Sequence, residues 1–210
     1  MHEPGDHANG TLSVSAEQLR DRYDEVRAKV GDRVTIVAAT KYVSIEEMAV
    51  LAEAGVEVVG ENRAQDLEAK HAVYGDAFRW HFIGHLQSRK AKIVNHICEL
   101  VHSLSSESAA SRLEIPALVE VNLSGEETKS GVREAELDGL LAVATDVRGL
   151  MTMPPGTGDP ETSRPYFRRL RELAEERGLQ ELSMGTSQDY LIAAEEGATL
   201  IRIGSVLYRR

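Results

Sequence analysis

"VTIVAATKY", residues 34–42, decides the fold and poses the functional question at once. Valine, isoleucine, threonine and alanine form a short run of the kind carried by a strand buried on both faces, and the run ends in an amine. Of the 24 basic residues only six are lysines: Lys29, Lys41, Lys70, Lys90, Lys92 and Lys129. Five of them lie among charged or polar neighbours and read as solvated. Lys41 alone follows an apolar run.

Seven further runs follow: "VEVVG" (56–60), "WHFIG" (80–84), "ELVHSL" (99–104), "IPALVEVN" (115–122), "VRGLMTM" (147–153), "ELSMG" (181–185) and "TLIRIG" (199–204). Amphipathic stretches such as "SIEEMAVLAEAG", "REAELDGLLAVA" and "SRPYFRRLRELAEERG" separate them, and a leading helix is expected over about 15–30. Ser44 with Glu47 makes a capping box, while Gly55 and Gly178 stand where helices stop. Eight alternations of apolar strand and helix predict an α/β fold, a single (β/α)8 TIM-type barrel with an extra N-terminal helix. The competing doubly wound sheet lacks a G-x-G-x-x-G after its first strand. Residues 1–12 read as a disordered lead-in and 13–210 as one barrel domain. The last run is followed by few residues, so the final helix is expected to be short or missing, with no second domain.

A net charge of −10 with no basic face argues against nucleic acid and anionic membranes. No apolar stretch approaches the roughly 18 residues a spanning helix needs, and the polar N-terminus has no signal-peptide core. A single cysteine, Cys98, fits a reducing, cytoplasmic setting and a small core residue. His81 and His85 are four apart but divided by strand and Gly84, so a metal reading finds no helical ligand pair.

Active sites of such barrels lie at the C-terminal ends of the strands. Those ends supply Lys41, then Glu61 and Asn62, His85 and Gln87, Asn122, "MTMPP", "SMGTSQD" and "RIGS". The last two place Gly185, Ser187, Gly204 and Ser205 where these barrels hold phosphates. Small residues let backbone amides approach an anion; the plainer reading is loop and capping chemistry, with Ser187 as an N-cap. Lys41 is read either as a lysine snorkelling to solvent or paired with Glu61, or as a desolvated nucleophile that forms a Schiff base. A phosphate cradle across the rim from such a lysine suggests pyridoxal 5'-phosphate (PLP). Arg202, inside an apolar strand, is either paired with a carboxylate such as Glu61 or part of the site.

"AATK", "GENRAQD", "WHFIGHLQSRK", "KSG" (129–131), "GLMTM", "SMGTSQD" and "RIGS", in this order from Val34 to Tyr208, resemble the pyridoxal-phosphate homeostasis proteins, the YggS/PROSC family. That family is similar to the N-terminal barrel of alanine racemase, and no turnover is established for it. The resemblance implies that Lys41 carries the cofactor as a Schiff base and that Ser187, Gly204 and Ser205 hold its phosphate. It also implies that Asn62 lines the ring pocket and that Arg202 donates to the pyridine nitrogen, which keeps that nitrogen unprotonated and restrains carbanion chemistry. His81 is expected inside the barrel near the cofactor, and Lys129 on a loop at the mouth. Thr186 replaces a usual methionine and Ser205 a usual threonine. The segment "SLSSESAASRLEIPALVEVN" is short for the family, which leaves the length of the helix there open. The expected role is cofactor binding in PLP homeostasis and delivery, by a monomer whose partners are PLP and PLP-dependent apo-enzymes. The alternatives are a PLP-dependent racemase or decarboxylase, and a cofactor-free Schiff-base aldolase.

Overall fold

The computed structural model describes residues 12–126 and 128–209. Eight parallel strands close into a barrel in sequence order: β1 (Thr35–Ala39), β2 (Val58–Glu61), β3 (Arg79–Phe82), β4 (Leu100–Leu104), β5 (Ala117–Glu120), β6 (Val147–Met151), β7 (Glu181–Ser183) and β8 (Leu200–Ile203). The eight apolar runs are these eight strands. Helix α1 (Ala16–Val30) precedes β1. Among the described residues each strand is followed by one α-helix, with short 3-10 turns beside three of them: α2 (Met48–Glu53), α3 (Ala64–Tyr74), α4 (Ala91–Ile97), α5 (Glu107–Ala110), α6 (Glu134–Val143), α7 (Arg164–Glu175), α8 (Tyr190–Glu195) and α9 (Ser205–Tyr208).

Alternation along each strand sorts side chains into two layers. Ile36 and Ala38 join the large core between barrel and helices, with Leu19, Leu51, Leu67, Phe82 and Phe167. Val37 faces the barrel interior, where Val58, Leu100, Leu118, Met151 and Leu200 form a smaller cluster. Each such side chain contributes about 1.5–3 kcal/mol when fully buried. The interior cluster is thin because polar residues share the space, and those residues build the site.

Helix α1 explains the short ending of the fold. Ser15 and Gln18 cap it reciprocally, and it packs against α2, α8 and α9. It shares that flank with α9, which is only four residues long, and its Leu19 and Val26 join the same core as Ile36 of β1 and Ile201 of β8. Arg22 Nη1 ties it to the carbonyls of Leu207 and Arg209 at 3.0 and 2.6 Å. Helix α5 after β4 is likewise a single turn. Ser44 and Glu47 do exchange hydrogen bonds, Glu47 N–H to Ser44 Oγ at 3.2 Å and Ser44 N–H to Glu47 Oε2 at 2.7 Å, but regular helix begins only at Met48. The other Glu47 oxygen accepts the backbone N–H of Leu12. Of the lead-in expected over 1–12, residues 1–11 lie outside the described residues, and Leu12 packs on the core. Among the described residues no helix is long and apolar enough to cross a membrane.

Candidate functional site

Thr40 and Lys41 follow the last residue of β1, Ala39, with Lys41 in the turn that leaves the strand. Thr40 is fully buried, its hydroxyl donating to Glu61 Oε1 at 2.7 Å. Glu61 is also buried, but its partner is neither Lys41 nor Arg202, as the sequence had allowed: it is Lys70 of α3. Lys70 Nζ donates as well to the Thr40 carbonyl at 2.7 Å. The expectation that every lysine but Lys41 is solvated is thus wrong for Lys70, which is 5% exposed. On a helix of mixed charge nothing local marks it; α3 lays it across the C-terminal ends of β1 and β2. Lys41 itself is exposed, its amine 4.8 Å from the centre of the Tyr42 ring. The desolvated setting read from the apolar run belongs to the strand, and the lysine stands just beyond it at the mouth.

Across the closing seam, Val37 pairs with Arg202 and Ala38 with Ile203, which brings Gly204 beside Ala39. Gly185, with φ +92°, turns the chain after β7; a Cβ there would stand 2.5 Å from that of Ala193. This tight turn delivers Ser187, whose Oγ accepts N–H bonds from Gly204 at 3.0 Å and Val206 at 3.3 Å. Gly204 is the N-cap of α9 and has no side chain, so Ser187 supplies the capping oxygen from another loop. Ser187 is therefore a cap, though of α9; the N-cap position of α8 is Asp189, which makes no side-chain capping bond there. The second amide at this point is that of Val206, not Ser205: with Gly204 as N-cap, Val206 holds the second helical position, from which a capping oxygen ordinarily accepts. Ser205 is exposed. Tyr208 packs its ring near Gly204, and its buried hydroxyl has no hydrogen-bond partner among the described residues.

Arg202 points into the barrel and is 6% exposed. No carboxylate among the described residues pairs with it; it donates to Ser183 Oγ and, at 3.1 Å, to the Thr152 carbonyl. Burial lowers its pKa to about 10, against the opposing fields of Glu120 and Asp189, and it stays charged at neutral pH. Ser183 Oγ lies 2.7 Å from His102 Nδ1, and His102 Nε2 lies 2.9 Å from His81 Nδ1. His81 is inside the barrel as expected, but towards its N-terminal end, two hydrogen bonds further from the mouth than Ser183. Glu120, on β5, is 7% exposed, and burial raises its pKa to about 7 although Arg202 opposes the rise.

Glu120 yields a pH prediction. Its folded-state pKa stands above the ordinary 4.5, so the folded chain holds the proton more tightly. The resulting stability is complete below about 4.5 and is lost as pH rises to about 7, up to about 3 kcal/mol in all. Glu120→Gln is expected to gain more stability at pH 8 than at pH 5 in urea unfolding. Equal gains at both pH values would remove Glu120 as the cause.

Other rim candidates are placed apart. Asn62, half-buried at the end of β2, has its backbone tightly packed: a Cβ on Gly84 would lie 2.1 Å from the Asn62 carbonyl oxygen. With Arg63, His85, Gln87, Arg89 and Lys90 it borders a separate cleft of about 430 Å³. Asn122 is committed to its own loop, donating to the Glu126 carbonyl at 2.8 Å, and Lys129 pairs with Glu126 at 3.6 Å. Cys98 is buried, its thiol pushed up to about 12.

Comparison with known proteins places this arrangement. Residues 14–209 match the alanine racemase N-terminal domain family. The pyridoxal phosphate homeostasis protein of Aquifex aeolicus is 40% identical over 194 residues, 82% of this chain and 85% of that protein. The structure of PipY from Synechococcus elongatus, with PLP bound, is 30% identical and superposes with a TM-score of 0.80 over 90% of this chain and 99% of its own. Alanine racemase from Corynebacterium glutamicum, at 16% identity and a TM-score of 0.70, covers 93% of this chain and 61% of its own, a likeness of fold alone.

Proposed function

The chain belongs to the pyridoxal phosphate homeostasis proteins, within the alanine racemase N-terminal domain family, and from this we propose that it binds PLP at the C-terminal mouth of the barrel and takes part in holding and delivering it. The observation that carries the proposal is the Ser187 oxygen seated between the Gly204 and Val206 amides. An oxygen at a helix start, met by two N–H groups, occupies the kind of place a phosphate oxygen takes. Ser187, Gly204 and Val206 hold the phosphate, with Ser205 at its exposed edge. Lys41 closes the other end. Lys41 stands in the turn beyond the C-terminal end of β1, whereas Arg202 lies within β8 at the level of Val37. The two cationic side chains therefore approach the pocket from opposite ends, and Asn62, which borders a neighbouring cleft on the same rim, is not needed to form it.

When bound, the cofactor supplies an electrophilic aldehyde and an electron-withdrawing ring. Lys41 is the residue whose amine would take up that aldehyde were the cofactor held at the mouth. Arg202 has only donors to offer the pyridine nitrogen, which disfavours protonation there and weakens the ring as an electron sink. That supports a binding protein rather than a racemase or decarboxylase, in keeping with relatives named for homeostasis. Assays on common amino acids are accordingly expected to fall below the usual enzyme range of about 1–10³ s⁻¹; a rate within it would overturn the non-catalytic reading.

Equilibrium dialysis against PLP and phosphate-free pyridoxal tests the proposal. Charge-assisted hydrogen bonds contribute about 1.5–3 kcal/mol each. Two of them place PLP at least about 100-fold tighter than pyridoxal. Equal affinity for the two ligands would remove the phosphate cradle, and no binding of either would leave the aldolase alternative standing.

A further inference from the structure

His81 and His102 stand in apolar runs, and strand alternation turns both into the barrel. The hydrogen-bonded chain that joins them to Arg202 through Ser183 has a polarity that donor chemistry fixes. A guanidinium only donates, so Ser183 Oγ accepts from Arg202. The one hydrogen of that hydroxyl then has His102 Nδ1, 2.7 Å away, as its acceptor. The opposite polarity would leave a buried hydroxyl hydrogen without a partner among the described residues. Burial holds both rings neutral, with His81 lowered to about 4 and His102 well below its ordinary value. A neutral His102 that accepts at Nδ1 carries its proton on Nε2 and donates it to His81 Nδ1. His81 therefore carries its own proton on Nε2.

That N–H bonds to no group among the described residues. His81 is 3% exposed and lines a polar cleft of about 200 Å³ between the N-terminal ends of the strands. Arg33, Arg79 and Arg148 border the cleft, together with Glu99 and Glu181. Arg79 is taken up by Glu99 at 2.9 Å and Arg148 by Asp146 at 3.5 Å, whereas Arg33 makes no ion pair among the described residues. Burial raises the pKa of Glu181, although Arg148 opposes this. The volume is below the roughly 300–1,000 Å³ of pockets for larger ligands.

We propose that this basal cleft is a second ligand site, for a small oxyanion of the carboxylate or phosphate class, with the His81 N–H as its floor donor and Arg33 as its rim cation. It lies on the face opposite the barrel mouth and does not depend on the cofactor reading.

The test is NMR of the ¹⁵N-histidine-labelled protein without PLP, titrated with inorganic phosphate and separately with acetate at constant ionic strength. His81 is expected in the Nε2–H form, with a saturable shift of that nitrogen on addition of one anion or both. The ion that titrates names the class. Arg33→Ala, a surface change that leaves the core intact, is expected to weaken binding up to about fivefold, the upper range for an exposed charge pair. An Nδ1–H tautomer, the absence of saturation with either ion, or binding that is the same in Arg33→Ala would each overturn the proposal. Because PLP is absent throughout, none of these outcomes bears on Lys41.

Discussion

Lys70→Met is expected to destabilise the fold by about 3–5 kcal/mol, the usual cost of removing one partner of a buried ion pair. The loss follows from what the substitution leaves behind. Glu61 is fully buried, and without Lys70 its charge retains only the Thr40 hydroxyl and the Asn62 N–H at 3.2 Å. At roughly 2–4 °C per kcal/mol for a chain of this size, the midpoint of thermal unfolding falls by about 10 °C. The double variant Lys70→Met, Glu61→Gln is expected to recover much of the loss, since the stranded charge is gone. Lys70 also bonds the Thr40 carbonyl next to Lys41, so PLP affinity should fall in the single variant. Denaturant unfolding of both proteins decides the matter; a loss below about 1 kcal/mol, the range of surface pairs, would mean that the pair contributes little.

The second large effect separates the two ends of the cofactor site. Lys41→Ala removes the covalent attachment and leaves the Gly204 and Val206 amides with the Ser187 hydroxyl. At about 1.5–3 kcal/mol for each charge-assisted bond, weak and reversible PLP binding survives while the visible absorbance of the lysine-bound cofactor disappears. Gly204→Val acts in the opposite sense. Gly204 has φ −141°, and a Cβ there would meet the Ala39 carbonyl oxygen at 3.5 Å, an ordinary contact, so the fold should accept the change. Lys41 then still reacts with the aldehyde, but the branched side chain crowds the anion seat, and the preference for PLP over pyridoxal shrinks towards unity. An unchanged preference would place the phosphate elsewhere.

The barrel was legible because strands buried on both faces read as short apolar runs, and eight such runs alternate with amphipathic stretches. The site was legible only in part. Arg202 drew notice as a charge inside "TLIRIG". His102 in "ELVHSL" and Glu120 in "IPALVEVN" carry the same signal of a polar residue within an apolar run, and reading it at every strand would have found the interior network. Lys70 had no such mark. Its neighbours on α3 are mixed in charge, and its burial comes from how that helix crosses β1 and β2. The exchange of Ser205 for Val206 at the anion seat depends on the phase of a single helical turn, which local composition does not specify.

Lys41 as the point of cofactor attachment is the central claim, and one measurement addresses it directly. The protein is loaded with PLP, reduced with borohydride, digested and mapped by mass spectrometry. The pyridoxyl label is expected on the peptide containing Lys41, and Lys41→Ala should abolish it. A label carried mainly by Lys70, Lys92 or Lys129 would contradict the claim.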